Sequence, residues 1–301
     1  MVNIFKTDFP REFEEFIGND KAKTVLSTLR NNFVNNDRDI PNVFLYGRAG
    51  LGKTTLTRIF ASETGNILFS CIGNQLTIES LHDILTKVGE TDILFIDEVH
   101  GLDKNVQEVI YTILQEKAYY YSDKLGRWQI DLPRLSIFAA TTDIADMPKT
   151  FLDRFQYRLI LDPYSEKEML QILELYLSEY KANLDDSCKR LLVKISQSTP
   201  RLLKNYINSM IDLGEDNYYL TKNDFTHMMN LLSISPEGFN KLQVDYIALL
   251  EKHNQPIGLN ALSAMLGVSE KDLVYSIEPF LIEEGIILRT PKGRSLNKSI
   301  Y

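Results

Sequence analysis

Several absences narrow the field. Only two cysteines occur in 301 residues, Cys71 and Cys188, and neither lies in a Cys-x-x-Cys pair or near histidines at zinc-ligand spacing. That excludes a disulfide framework, and both read as inert thiols. No window approaches the roughly 18 uninterrupted apolar residues of a membrane span, and the opening MVNIFKTDFP has no basic flank followed by an apolar run. A cytoplasmic protein without membrane contact is expected. No low-complexity tract or internal repeat occurs, and His82, His227 and His253 belong to no constellation. A net charge of -8 excludes a uniformly basic, nucleic-acid-coating protein, although phosphate contact depends on where the positive charge sits.

What is present is ordinary globular material, 44% hydrophobic and 25% charged, in a chain long enough for two or three domains. Short apolar runs at Asn42–Tyr46, Ile93–Ile96 and Leu135–Ala140 read as strands, with helical segments between them. Strands alternating with helices imply an α/β fold with a parallel sheet covered on both faces. From Ser165 to about Leu232 only helical periodicity remains, with Pro163 at the hinge. After Pro236 come further short helices and a pair of strands around a basic turn, the order of a winged helix. Three domains are expected: residues 1–162, a helical lid over 163–235, and a DNA-binding winged helix over 236–301.

Gly47 to Thr54 reads GRAGLGKT and satisfies G-x-x-x-x-G-K-[ST] after a strand and before a helix. Glycines at 47, 50 and 52 let backbone N–H groups close around phosphates, Lys53 reaches the β and γ oxygens, and Thr54 offers a hydroxyl to Mg²⁺. Leu51 and Thr55 complete the candidate ATP-binding segment. Leu94 to Glu98 reads LFIDE, an apolar strand ending in two acids. Asp97 is the candidate Mg²⁺ ligand and Glu98 the candidate general base for a lytic water. AATTD at Ala139–Asp143 places a hydroxyl, Thr142 or Thr141, where it can orient that water.

Other residues admit two readings. Arg154, in LDRF, suits either insertion into a neighbouring subunit's nucleotide site or a surface salt bridge with Asp153 or Glu166. In STPR, Thr199 reads as an N-cap and Pro200 as the first helical residue, with Arg201 facing either a nucleotide or solvent. His100 either couples nucleotide state to a neighbour or is structural. Ala118–Leu132 reads as a hairpin turning at Leu125-Gly126, and its Tyr119, Tyr120, Tyr121 and Trp128 suit partner docking or packing on the motor itself. Arg289, Lys292, Arg294 and Lys298 form a basic ending with no acid between Arg289 and Tyr301.

Together GRAGLGKT, LFIDEVHGL, AATTD, LDRF, STPR and RTPKGR resemble the RuvB family of Holliday-junction branch-migration motors, AAA+ ATPases, over nearly the whole chain. The resemblance begins at FPREFEEFIG, Phe9 to Gly18, similar to the family's adenine-side segment. It implies a homo-hexameric ring that drives duplex or four-way-junction DNA with ATP and Mg²⁺ and docks a RuvA-like junction-binding protein through hairpin 118–132. By position, Phe16 and Ile17 would flank adenine, Thr142 would be the polar sensor, Arg154 would act in trans and Arg201 in cis, and Arg289, Lys292 and Arg294 would meet DNA backbone. A clamp-loader or helicase-loader sharing the same ATPase parts is the rival expectation. The chain departs from the family pattern at Arg48 and Ala49 in the phosphate loop, at Ser198 where a glycine is usual, and in a shorter, more aromatic hairpin.

Overall fold

A computed structural model describes residues 10–123, 126–179, 184–213, 221–253 and 255–297. The chain divides into two compact units, residues 1–168 and 169–301. Phe9, Lys124, Leu125 and Lys298, which enter the expectations above, lie outside the described residues.

In the first unit the elements run α1 (Asp20–Asn36), β1 (Val43–Tyr46), α2 (Lys53–Thr64), β2 (Leu68–Ile72), α3 (Ile78–Leu85), β3 (Ile93–Asp97), α4 (Lys104–Glu116), β4 (Ala118–Asp123), β5 (Gly126–Asp131), β6 (Ser136–Thr141), α5 (Lys149–Leu152) and β7 (Tyr157–Ile160). Five strands form a parallel sheet in the order β2-β3-β6-β1-β7. Every residue of β6 is buried, as are Val43–Leu45 and Ile93–Ile96, because a central strand of a parallel sheet is covered on both faces. Phe44, Leu94, Ile96, Ala139, Val106 and Ile110 belong to one core, and α4 turns its apolar stripe inward.

The three strands expected from the sequence are the central ones. Strands β2, which falls in the helix-strand interval between the phosphate loop and LFIDE, and β7 are edges, partly exposed along their length, and lack the continuous apolar run of a buried strand. The hairpin β4–β5 forms its own two-stranded sheet with Tyr121 opposite Trp128. The aromatics divide between packing and exposure. Tyr119 is buried, stacks on Tyr121 with centroids 6.0 Å apart, and both rings pack near His82, whereas Tyr120 and Trp128 are about half exposed.

The first unit runs through Glu168, six residues past the end expected at residue 162. Tyr164 accounts for the difference: it is buried, and its hydroxyl donates to Leu51 O at 3.1 Å, tying the segment back to the phosphate loop.

The second unit holds α6 from Met169 onward (helix Glu166–Glu179), α7 (Asp186–Ile195), α8 (Pro200–Leu213), α9 (Lys222–Leu231), α10 (Lys241–His253), α11 (Leu259–Leu266), α12 (Glu270–Asp272), a π-helical turn (Leu273–Ile277), α13 (Glu278–Glu283) and strands β8 (Ile287–Thr290) and β9 (Gly293–Leu296). Helix α8 begins at Pro200 as expected, but the Thr199 hydroxyl donates back to Gln197 O at 2.9 Å. Gln197 and Ser198 precede it with φ of 51° and 54°, two consecutive left-handed residues that are not glycine. Residues 239–287 hold a core of their own around Tyr246, Leu262, Leu273 and Leu281. Ile257 bridges Arg294 through backbone bonds of 2.9 and 2.8 Å, adding a third short segment to the β8–β9 hairpin.

Candidate active site

Because β3, β6 and β1 run parallel side by side, their carboxyl ends lie on one edge of the sheet: Asp97, Thr141 and Tyr46. The phosphate loop leaves Tyr46 and enters α2 at Lys53. Gly47, Gly50 and Gly52 all have positive φ, the conformations that wrap backbone around a phosphate. Gly52 has a packing reason as well: a Cβ there would sit 2.8 Å from Phe16 Cζ, a buried ring laid against the loop. Gly47 N–H donates to Thr141 O at 3.3 Å, fastening the loop's start to β6. The Leu51 side chain is buried in the core, so only its backbone belongs to the cradle, while Gly50 and Thr55 are partly exposed.

Helix α2 opens at Gly52 with no side chain capping its first turn, so those N–H groups remain available to an anion. Lys53 is buried, and its ammonium donates to Gly47 O at 2.6 Å and Arg48 O at 3.0 Å, curling back into the loop it serves. Thr54 Oγ1 donates to Asp97 Oδ2 at 2.8 Å, and Asp97 Oδ1 accepts from Glu98 N at 3.0 Å. Glu98 stands in the left-handed region at φ 48°, a strained conformation of the kind found at active sites. Its Oε2 accepts from Thr142 Oγ1 at 2.9 Å and from Thr142 N at 3.2 Å. The structure thus divides the two threonines: Thr142 contacts the acid, and the buried Thr141 contacts His100.

Phe16 is buried and Ile17 partly so, with Phe16 O accepting from Lys23 Nζ at 2.9 Å. Cys71, on β2 beside β3, has its thiol pushed up to about 12 by burial and by the Asp97 carboxylate, so it stays protonated and inert as expected. Arg154 makes neither expected salt bridge; Asp153 pairs with Arg158 at 3.5 Å. The Arg154 guanidinium lies over the Tyr111 ring, 4.9 Å from its centroid, and donates to Tyr111 Oη at 2.7 Å and Gln115 Oε1 at 3.1 Å. Tyr111 and Gln115 lie one turn apart on α4 but 43 and 39 residues from Arg154 in the chain, so no local pattern marked them. Arg201 is exposed in the first turn of α8.

Arg289 Nε lies 2.7 Å and Arg294 Nε 2.8 Å from the two oxygens of Glu278, which is fully buried and also accepts from Tyr246 Oη at 2.9 Å. Burial alone would raise the Glu278 carboxyl, but hydrogen bonds from Arg294, Tyr246 and Arg289 bring it below its ordinary value. Burial and the adjacent carboxylate push the Tyr246 phenol well up. Arg289 and Arg294 therefore bond a buried acid, while Arg289 itself and Lys292, at the turn, remain exposed.

A phosphate cradle, a carboxylate joined to the loop's threonine and a second acid one residue later are suited to splitting a nucleoside triphosphate. In this sheet order they define an AAA+ P-loop ATPase. The family model described as the Holliday junction DNA helicase RuvB P-loop domain matches residues 9–161, and that of the RuvB C-terminal winged helix domain matches 236–300. The Holliday junction branch migration complex subunit RuvB of Campylobacter fetus is 30% identical, covering 97% of this chain and 87% of that protein. Its counterpart in Prochlorococcus marinus (strain MIT 9215) is 31% identical over 95% and 84% of the two. The solved Thermotoga maritima RuvB Holliday junction branch migration motor superposes with a TM-score of 0.83 at 29% identity, covering 97% of this chain and 96% of that one. The chain belongs to the RuvB family.

Proposed function

We propose that this chain hydrolyses ATP to ADP and phosphate and uses the energy to drive branch migration of Holliday junctions in recombination and repair. The observation that carries the reading is the pair of contacts at the sheet edge, Thr54 to Asp97 at 2.8 Å and Thr142 to Glu98 at 2.9 Å, beside a loop closed by Lys53. In this scheme Gly47–Thr55 binds the phosphates, with Phe16 and Ile17 against the adenine. Lys53 exchanges its two carbonyl partners for β and γ oxygens. Thr54 and Asp97 present a hydroxyl and a carboxylate, the hard oxygen donors that Mg²⁺ takes, and would hold that ion. Bound there, Mg²⁺ would neutralise charge on the β and γ oxygens. Thr142 orients the attacking water and Glu98 removes its proton.

The assembly belongs to the same proposal. A homo-hexameric ring would bring Arg154 of one subunit to its neighbour's γ-phosphate, while Arg201 acts in cis. The helical lid and the winged helix would be separate working parts of the second unit. A RuvA-like protein would dock on hairpin 118–132 through Tyr120 and Trp128, and Arg289, Lys292 and Arg294 at the wing would contact DNA backbone. Migration of a labelled synthetic four-way junction, with ATP and with or without a RuvA-type partner, tests this. ATP-dependent conversion to branch products supports the reading. Robust ATP hydrolysis with no movement of any junction under either condition overturns it in favour of a loader.

A further inference from the structure

The hydrolytic scheme leaves His100 without a role. It stands two residues beyond Glu98 in the 3-10 turn Val99–Gly101, with Nδ1 2.9 Å from Thr141 Oγ1 and 3.4 Å from Glu98 Oε2. Thr141 is fully buried and closes a small ring with Asp143: its hydroxyl donates to Asp143 O at 3.1 Å and accepts from Asp143 N at 3.0 Å. With the hydroxyl proton directed to Asp143, Thr141 Oγ1 faces His100 as an acceptor. An ionised Glu98 is also acceptor-only. Both neighbours therefore call for the imidazole proton on Nδ1, where the N–H bonds Thr141 Oγ1 and the Glu98 carboxylate lies 3.4 Å away. The same Thr141 accepts from Gly47 N through its carbonyl, so a single threonine connects His100 to the start of the phosphate loop.

We infer that His100 is a positioning residue for ATP hydrolysis, its Nδ1–H fixing the Glu98 carboxylate against the tip of β6. Two donors from Thr142 bond Glu98 Oε2, and His100 Nδ1 lies 3.4 Å from the same oxygen. That leaves Oε1 to take the proton of the attacking water. Because His100 acts through Glu98, its effect is expected on the hydrolytic step and not on ATP binding. The inference rests on the hydrolytic reading of Glu98.

The test compares His100→Ala, His100→Asn and His100→Gln in the full chain by steady-state ATPase. The Asn amide nitrogen sits at about the reach of Nδ1, and the Gln amide nitrogen at that of Nε2. Ala and Gln are expected to lower kcat by ~10-fold or more with KM for ATP within ~2-fold, the scale of losing an orienting partner of a catalytic group. Asn is expected to recover most of kcat. Equal loss in all three, or a loss residing in KM, overturns the inference. Thr141→Val, which preserves volume, is expected to lower kcat and to add little on top of His100→Ala; fully additive losses overturn the coupling. The two readings fail separately. A wild-type chain without ATPase overturns the role of Glu98 itself, whereas an ATPase abolished by Glu98→Gln but untouched by His100→Ala overturns only the role of His100.

Discussion

Thr54 Oγ1 donates to Asp97 Oδ2 across 2.8 Å, joining the first turn of α2 to the tip of β3. Each residue is reached from a different strand end, so the contact exists only when the sheet is in register. Thr54→Val keeps the volume and removes the hydroxyl. The variant should keep its fold by circular dichroism and lose ATPase by ~10²-fold or more, the loss expected when a group that positions charge at the reacting phosphate is removed. Near-wild-type turnover would contradict the role.

Arg154 is stacked on Tyr111 and bonded to Gln115, so its own subunit holds it at a fixed place against α4. If it acts in trans, Arg154→Ala should bind ATP normally and lose hydrolysis by ~10³-fold or more. Mixing it with an excess of Glu98→Gln should restore part of that activity, because sites pairing an intact Glu98 with a neighbour's Arg154 then form. Mixed populations with no recovery would contradict action across an interface.

The Glu278 cluster carries a pH prediction. The folded-state carboxyl titrates below its unfolded value of ~4.3, so its stabilisation is present above that value and is lost as pH falls through the folded one. The residue 169–301 unit should therefore lose stability on acidification below ~4, and Glu278→Gln should flatten that dependence. At neutral pH the substitution should cost about 3 kcal/mol, the low end for breaking a buried ion pair because Arg289 stays nearly half in solvent. Urea unfolding at pH 7 and pH 4 checks both, and an unchanged acid slope in the variant would contradict the cluster's role.

Ser198 occupies the left-handed region at φ 54°, where a side chain is strained and glycine is not. Ser198→Gly should stabilise the chain by about 0.5–1 kcal/mol. Thermal unfolding measures it, and a lowered midpoint would contradict the backbone argument.

The parts legible in the sequence are those that local order controls. The phosphate loop announces itself because glycines, lysine and threonine must lie within one turn of chain, and the central strands because burial on both faces demands unbroken apolar runs. Edge strands β2 and β7 were silent since half their residues need no apolar side chain. The choice between Thr141 and Thr142 could not be made in advance, because successive strand residues face opposite ways and only the neighbouring strand decides which one meets Glu98. The Glu278 partner of the basic ending was hidden for a related reason: it lies 11 residues from Arg289 and 16 from Arg294 in sequence, and only the fold brings its oxygens between them.

The most direct test is the steady-state ATPase rate of the purified chain without DNA, with linear duplex and with a synthetic four-way junction, beside Glu98→Gln. Hydrolysis stimulated by the junction and abolished by Glu98→Gln is the predicted result. A chain that binds ATP but hydrolyses none under any of these conditions, or a Glu98→Gln variant as active as wild type, would contradict the account.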